Sequence, residues 1–242
     1  MTYCVGLLVD TGLVMLSDSR TNAGVDQVNT FRKMATFQQA NERVLVLLAA
    51  GNLAITQAVV NLLQENGTES GEPARIFQAS NMFNAARVVG DALREIHERD
   101  AESLKELGHE FNGTFILGGQ IKGEEPRLFH IYSAGNFIET SIDTPYFQIG
   151  ESKYGKPIID RVISRSSSLA QAAKCALVSM DSTIRSNLSV GPPLDLAIMR
   201  RDEFKLATHI SIDMDNEYFS LIRKRWGLAL QEVFSELPNP NW

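Results

Sequence analysis

The chain has 242 residues, 44% of them hydrophobic, and its 23 Lys+Arg against 29 Asp+Glu give a formal charge of -6. That length fills one domain with a substantial core, expected to span residues 1–242, and the scattered basic residues on an acidic background exclude a nucleic-acid footprint and a polybasic membrane patch. Two cysteines far apart, Cys4 and Cys175, an opening stretch without a basic n-region and the lack of any run near ~20 apolar residues predict a cytoplasmic protein without disulfides or membrane spans.

The chain opens on a hairpin: a β-rich run Tyr3–Val9, the turn signal Asp10-Thr11-Gly12, and a second run over residues 13–17. Period-2 geometry puts Thr2, Cys4 and Gly6 on one face of the first strand. Strands are predicted over 33–37 and 43–50, the latter nearly all apolar and so buried on both faces, with Gly51 ending it. From Asn52 the pattern turns helical, with Leu53, Val59, Val60, Leu62 and Leu63, stopping at Asn66-Gly67 before a loop to Pro73. A long helix follows over about residues 80–107, carrying Met82, Ala86, Val89, Leu93 and Ile96 on one stripe.

The second half repeats that order of elements without repeating its sequence. Strands are predicted over 114–121, 127–133, 136–140 and 146–149, then a Gly150-Glu151-Ser152 loop. Two helices come next, the second marked by Leu169, Ala172, Ala173, Ala176, Leu177 and Met180 after the capping-rich Ser166-Ser167-Ser168. Strands over 194–199 and 207–212 close the sheet, and residues 217–237 form a last helix before Pro238. This order predicts an α+β fold with two stacked sheets and helices on both outer faces.

The residue with most chemical promise is Thr2. Removal of Met1 gives it a free α-amine titrating at roughly 7.7–8.0, so one residue holds a nucleophilic hydroxyl and a proton acceptor. Lys33 supplies positive charge that lowers the pKa of both groups, Asp18 holds the ammonium in place, and Gly51 offers a backbone N–H to a developing oxyanion. Taken singly, each has an ordinary reading: a threonine that happens to be second, a turn aspartate, a solvated lysine, a glycine where a strand gives way to a helix. Other groups point nowhere in particular. Cys4 reads as a core thiol, His97, His109, His130 and His209 lack metal-ligand spacing, and Gly118-Gly119 has no following helix to make a phosphate loop.

Thr2, the run Leu16-Ser17-Asp18-Ser19-Arg20-Thr21-Asn22-Ala23-Gly24, then Arg32-Lys33-Met34 and Ala49-Ala50-Gly51 together resemble proteasome β-type subunits of the N-terminal nucleophile hydrolase superfamily, with the spacings matching to within a residue. Within it the chain looks most like the bacterial Anbu ("ancestral beta subunit") group, since the threonine directly follows Met1 and the chain is longer than the compact HslV peptidase. The resemblance implies a four-layer αββα sandwich of two stacked antiparallel sheets and a threonine peptidase with no cofactor and no metal. It makes Thr2 the nucleophile, Asp18 and Lys33 the charge pair and Gly51 the oxyanion donor, and it matches Ser152 to a serine near the amine and Asp181 to a supporting aspartate. The family's Asp-x-x-Ser-Gly is absent after Asp181, where Ser182-Thr183-Ile184-Arg185 follow. Thr21, Phe31, Ala35, Ala49 and Leu53 match the specificity pocket, whose uncharged character implies an apolar substrate residue.

As partners the resemblance implies further copies of the chain in a ring or spiral, a peptide or amide substrate, and an ATP-dependent unfoldase that nothing in this chain identifies; the Anbu group is also associated with transglutaminase-like and ATP-grasp-type proteins. Two other readings stand beside the peptidase. One is an amidohydrolase of the same superfamily acting on a small amide or on peptide-ligation products; the other is an assembly module that keeps Thr2 by ancestry alone.

Overall fold

The computed structural model describes residues 1–22, 28–65 and 72–242. In chain order the elements are β1 (Tyr3–Val9), β2 (Gly12–Asp18), β3 (Arg20–Asn22), β4 (Val28–Thr30), β5 (Met34–Gln39), β6 (Arg43–Gly51), α1 (Leu53–Gln64), a 3-10 turn (Arg75–Gln78), α2 (Met82–Glu106), β7 (Gly113–Ile121), β8 (Arg127–Ile131), β9 (Phe137–Glu139), β10 (Tyr146–Gly150), α3 (Ser152–Val162), α4 (Leu169–Ser186), β11 (Leu194–Arg200), β12 (Leu206–Ile212) and α5 (Glu217–Glu236). One five-stranded sheet runs β10-β1-β2-β11-β12 and the other β5-β6-β7-β8-β9. Every strand pair in them is antiparallel.

The period of two along the strands makes the layers. On β6, Leu45, Leu47 and Ala49 face α1 and α2, while Val44, Val46, Leu48 and Ala50 face the other sheet. On β1, Tyr3, Val5, Leu7 and Val9 pack against α3, α4 and α5, and Cys4 and Leu8 turn inward to the space between the sheets. Three apolar cores thus separate four layers, αββα, as the strand-and-helix order predicted. The helices are closed by side chains at their starts: Asn52 accepts from Ala54 N–H, Asn81 from Asn84 N–H, and Ser168 and Gln171 form a capping box.

Some local expectations change. The short ribbon of β3 and β4 was not anticipated, because three residues per strand are too few to display a period. The strand expected over 127–133 stops at Ile131, where Gly135 N–H bonds back to Tyr132 O in a turn. Ser152 lies in no loop: Glu151 alone separates β10 from α3, and Ser152 is the first residue of that helix. The expected helix stop at Asn66-Gly67, the loop through Gly71, and Ala23-Gly24 lie outside the described residues. Cys4 and Cys175 are free, buried thiols. Among the described residues no helix is long and apolar enough to cross a membrane.

Candidate active site

Thr2 stands just before β1, 8% exposed, where the space between the two sheets opens. The β1–β10 ladder fixes it. Tyr3 pairs with Gly150, and the next residue, Glu151, donates its backbone N–H to the Thr2 carbonyl at 2.8 Å. Gly150 has φ +80°, and a Cβ built on it would fall 1.9 Å from the Thr2 carbonyl oxygen, so both the backbone conformation and the close approach demand glycine.

Asp18, at the end of β2, lies beneath this point with no exposure at all. Its Oδ1 accepts from Tyr3 N–H at 3.0 Å and from the Lys33 ammonium at 2.7 Å, and Oδ2 accepts from Gly191 N–H at 3.4 Å. Burial pushes the Asp18 carboxyl up from the ordinary aspartate range, while the Lys33 charge and the two N–H donors pull it back. Lys33 also donates to Arg20 O at 2.6 Å and to Met1 O at 3.3 Å. An ammonium has three protons, and here each has an acceptor.

Gly51 closes β6 across the cleft at φ +114°, where a Cβ would come within 2.5 Å of Asn112 O. The cleft holds about 620 Å³ and is walled by Thr2, Lys33 and Gly51 together with Thr21, Phe31, Ala49 and Leu53. A second cavity of about 380 Å³ adjoins it and shares Lys33, Ala49, Leu53 and Thr56. Ala35 lines this second cavity only, so the five residues expected to meet substrate are divided between two connected spaces.

The structure thus brings Thr2, Asp18, Lys33 and Gly51 together and leaves Ser152 and Asp181 out. Ser152 is absent from the cleft wall; its carbonyl accepts from Gln148 Nε2 at 3.3 Å within the β10–α3 corner, and the residue beside Thr2 is Glu151. The displacement follows from Gly150, which ends the strand so close to Thr2 that the very next residue must be the one on the cleft. Asp181 faces α5 and accepts from Arg223 Nε at 2.8 Å; among the described residues no hydrogen bond joins it to Thr2, Asp18 or Lys33. What reaches the site from α4 is the loop after it. Asn187 Nδ2 approaches Met1 Sδ at 3.6 Å, and Gly191 N–H meets Asp18. The sequence signal for that loop is its run Asn187-Leu188-Ser189-Val190-Gly191-Pro192-Pro193, turn-forming residues directly ahead of β11.

The ordinary readings of two other groups hold. Cys4 directs its thiol at Ala49 O, 3.6 Å away, and burial pushes that thiol far above the range in which it ionises at neutral pH. His130 contacts Thr114 Oγ1 at 2.9 Å, away from the cleft. Among the described residues no group of three or more His, Cys, Asp or Glu is placed to hold a metal ion.

No family model matches the chain. Among curated proteins it is similar to "Proteasome subunit beta 2" of Nitrosopumilus maritimus (strain SCM1), 23% identical over 219 residues, covering 86% of this chain and 90% of that protein. Among solved structures it is similar to Anbu (ancestral beta-subunit) from Yersinia bercovieri, with a TM-score of 0.91, 53% identity and 99% of both chains covered. It is similar also to the Anbu (Gly-1) mutant from Hyphomicrobium sp. strain MC1, with a TM-score of 0.92, 50% identity and 100% of both chains covered. The chain in the helical assembly of the Anbu complex from Pseudomonas aeruginosa has a TM-score of 0.92 and 46% identity, with 99% of this chain and 98% of that one covered.

Proposed function

The chain belongs to the Anbu (ancestral beta-subunit) family of proteasome-related proteins, and on that premise we propose that it is a threonine-type hydrolase of peptide or amide bonds whose nucleophile is Thr2 after removal of Met1. The observation that carries this reading is the Lys33 ammonium, held by buried Asp18 at 2.7 Å and pointing a further proton at Met1 O, 3.3 Å away, on the bond whose loss frees the Thr2 amine. While Met1 remains, the Thr2 nitrogen is an amide and carries no base. Once it is removed, an amine titrating at roughly 7.7–8.0 lies beside a fixed positive charge.

The reaction then runs in two halves. Thr2 Oγ1 attacks the substrate carbonyl carbon as the α-amine takes the hydroxyl proton, and the oxyanion formed is met by Gly51 N–H. The carbonyl re-forms as the carbon–nitrogen bond breaks, and the α-ammonium returns its proton to the leaving amine. Water attacks the resulting ester with the α-amine again as base, releasing an acid and restoring Thr2. Asp18 takes no proton; it keeps Lys33 in place.

Action in a self-assembled oligomer is part of the proposal. On α5 the apolar residues Leu230, Val233 and Phe234, and Leu237 just beyond, recur at helical spacing and stay more than half exposed, as a surface awaiting a neighbour does. A relative from Pseudomonas aeruginosa is named for its helical assembly. We further take the enzyme to work in the cytoplasm as a single domain over residues 1–242. The bond from Lys33 to Met1 O also favours a second reading, the silent assembly module, for any chain in which Met1 stays.

The test is intact mass spectrometry before and after treatment with a β-lactone. Loss of Met1 and one adduct, absent from Thr2→Ala, supports the hydrolase; a processed protein that never takes an adduct leaves only the assembly module.

A further inference from the structure

Among the described residues Glu151 is the one carboxylate on the wall of the Thr2 cleft, and the reaction proposed above makes no use of its side chain. Its backbone N–H bonds Thr2 O at 2.8 Å, which fixes the residue beside the nucleophile, and its side chain is only 17% exposed. Among the described residues that carboxylate accepts no hydrogen bond. Its one ion pair is loose, to Lys153 at 3.8 Å on a side chain 70% exposed, and a solvated pair of that kind is worth little. A carboxylate so far withdrawn from water ordinarily has donors of its own.

The other charges of the cleft are settled. Lys33 is neutralised by Asp18 at 2.7 Å. On the hydrolase reading the Thr2 amine acts as a neutral base, so before attack it brings no positive charge to Glu151. A substrate entering the cleft therefore meets one unmatched negative charge.

The place of that charge decides which part of the substrate meets it. In the first sheet β10 flanks β1 on the side away from β2, and it packs over β7. Glu151 thus stands at the β7 end of the cleft, together with Asn112 just ahead of that strand. Ala35, Ala49 and Leu53, expected in the specificity pocket, stand toward β5, where the cleft adjoins the cavity of about 380 Å³. A peptide whose acyl half occupies the β5 end sends its leaving amine, and the side chain beside that amine, toward Glu151. A lysine or arginine there gains a counter-ion in a partly desolvated place, whereas an aspartate or glutamate meets like charge.

We propose that Glu151 selects substrates carrying a basic residue, lysine or arginine, directly after the scissile bond, and that it is the specificity-determining residue of the leaving side. The proposal rests on the hydrolase reading, with Thr2 as the nucleophile.

The experiment uses the Met1-processed protein in its native assembly and internally quenched peptides identical except for the residue after the scissile bond: Lys, Gln or Glu. Mass spectrometry of the products identifies the bond cut. The expected kcat/KM falls in the order Lys, Gln, Glu, with Lys at least about tenfold above Glu, and the ratio shrinks as salt is raised. In Glu151→Gln the Lys-to-Glu ratio is expected to come within about twofold of unity, and in Glu151→Lys the order reverses. Each ratio is taken on one preparation, so the fraction of active protein cancels. A residue that only supported the fold would change the rates without reordering the peptides. Equal turnover of the Lys and Glu peptides by protein whose Thr2 labels with a β-lactone overturns the proposal, as does a preference that survives in Glu151→Gln. Should Thr2 fail to label, the hydrolase reading is what fails. In that case, or if labelled protein cuts none of the peptides, binding of the corresponding reduced-amide peptides is read by fluorescence anisotropy. Tighter binding of the Lys peptide, lost in Glu151→Gln, upholds the recognition; equal binding of the Lys and Glu peptides overturns it.

Discussion

The Lys33 ammonium and the Asp18 carboxylate lie 2.7 Å apart with side-chain exposures of 7% and 0%, so neither charge is compensated by solvent and each depends on the other. Removing one partner strands its counterpart. Asp18→Ala is expected to cost about 3–5 kcal/mol of stability and to abolish β-lactone labelling of Thr2 even in the fraction that stays folded. Urea denaturation followed by intact mass on the folded fraction measures both; a variant of unchanged midpoint would contradict the dependence.

Gly150 tests how tightly Thr2 must be held. Its φ of +80° and the 1.9 Å approach of a notional Cβ to Thr2 O make Gly150→Ala strained and obstructive together. The expected loss is more than about 1 kcal/mol, beyond what a Gly→Ala change costs at a permissive site, and labelling of Thr2 is expected to slow. Thermal unfolding and adduct kinetics on the same sample give the two readings.

Asp181 is expected to behave as a structural residue. Arg223→Ala removes its hydrogen-bond donor and leaves a buried acceptor unpaired, at a cost of about 1–3 kcal/mol. The rate of Thr2 labelling per folded molecule is expected to match the parent protein. A large fall in that rate at constant folded fraction would return Asp181 to the catalytic list.

His130 sets a pH dependence of stability. Burial holds its pKa below the ordinary histidine value of 6.5, so below that value the unfolded chain takes up a proton that the folded one refuses. Stability from this residue is therefore complete above pH 6.5 and is lost as the pH falls through the folded pKa. His130→Gln is expected to flatten the difference in urea midpoint between pH 7 and pH 5; equal slopes for both proteins would remove the effect.

The apolar row on α5 predicts an assembly phenotype. Leu230→Glu with Phe234→Glu places two charges on side chains that are 52% and 76% exposed, so the fold is expected to be unaffected while self-association weakens. Sedimentation velocity at several concentrations reads this directly, with circular dichroism as the control for folding.

Much of this was legible in the chain because its signals are local and periodic. The run from Arg43 to Ala50 announces a strand buried on both faces, and Thr2, Asp18, Lys33 and Gly51 can be grouped because each ends or borders a strand whose register is easy to read. The rest depends on contacts distant in sequence. Glu151 reaches Thr2 only through the pairing of β10 with β1, and Gly191 reaches Asp18 across 173 residues. Asp181 is placed near the site by the family resemblance; the direction it faces is set by its bond to Arg223 on α5, which the local pattern around it does not reveal.

The manner in which Thr2 is anchored has a consequence for maturation. Its carbonyl is held by Glu151 and its following N–H by Asp18, so every backbone bond that fixes it lies on the side away from Met1. Cutting the Met1–Thr2 bond breaks no rung of the sheet and, among the described residues, gives up two hydrogen bonds, Lys33 to Met1 O and Asn187 to Met1 Sδ. On the proposed hydrolase reading, latency is thus one covalent bond deep. On that reading a chain that is already folded is armed without refolding, and the moment of arming belongs to the enzyme that removes the methionine.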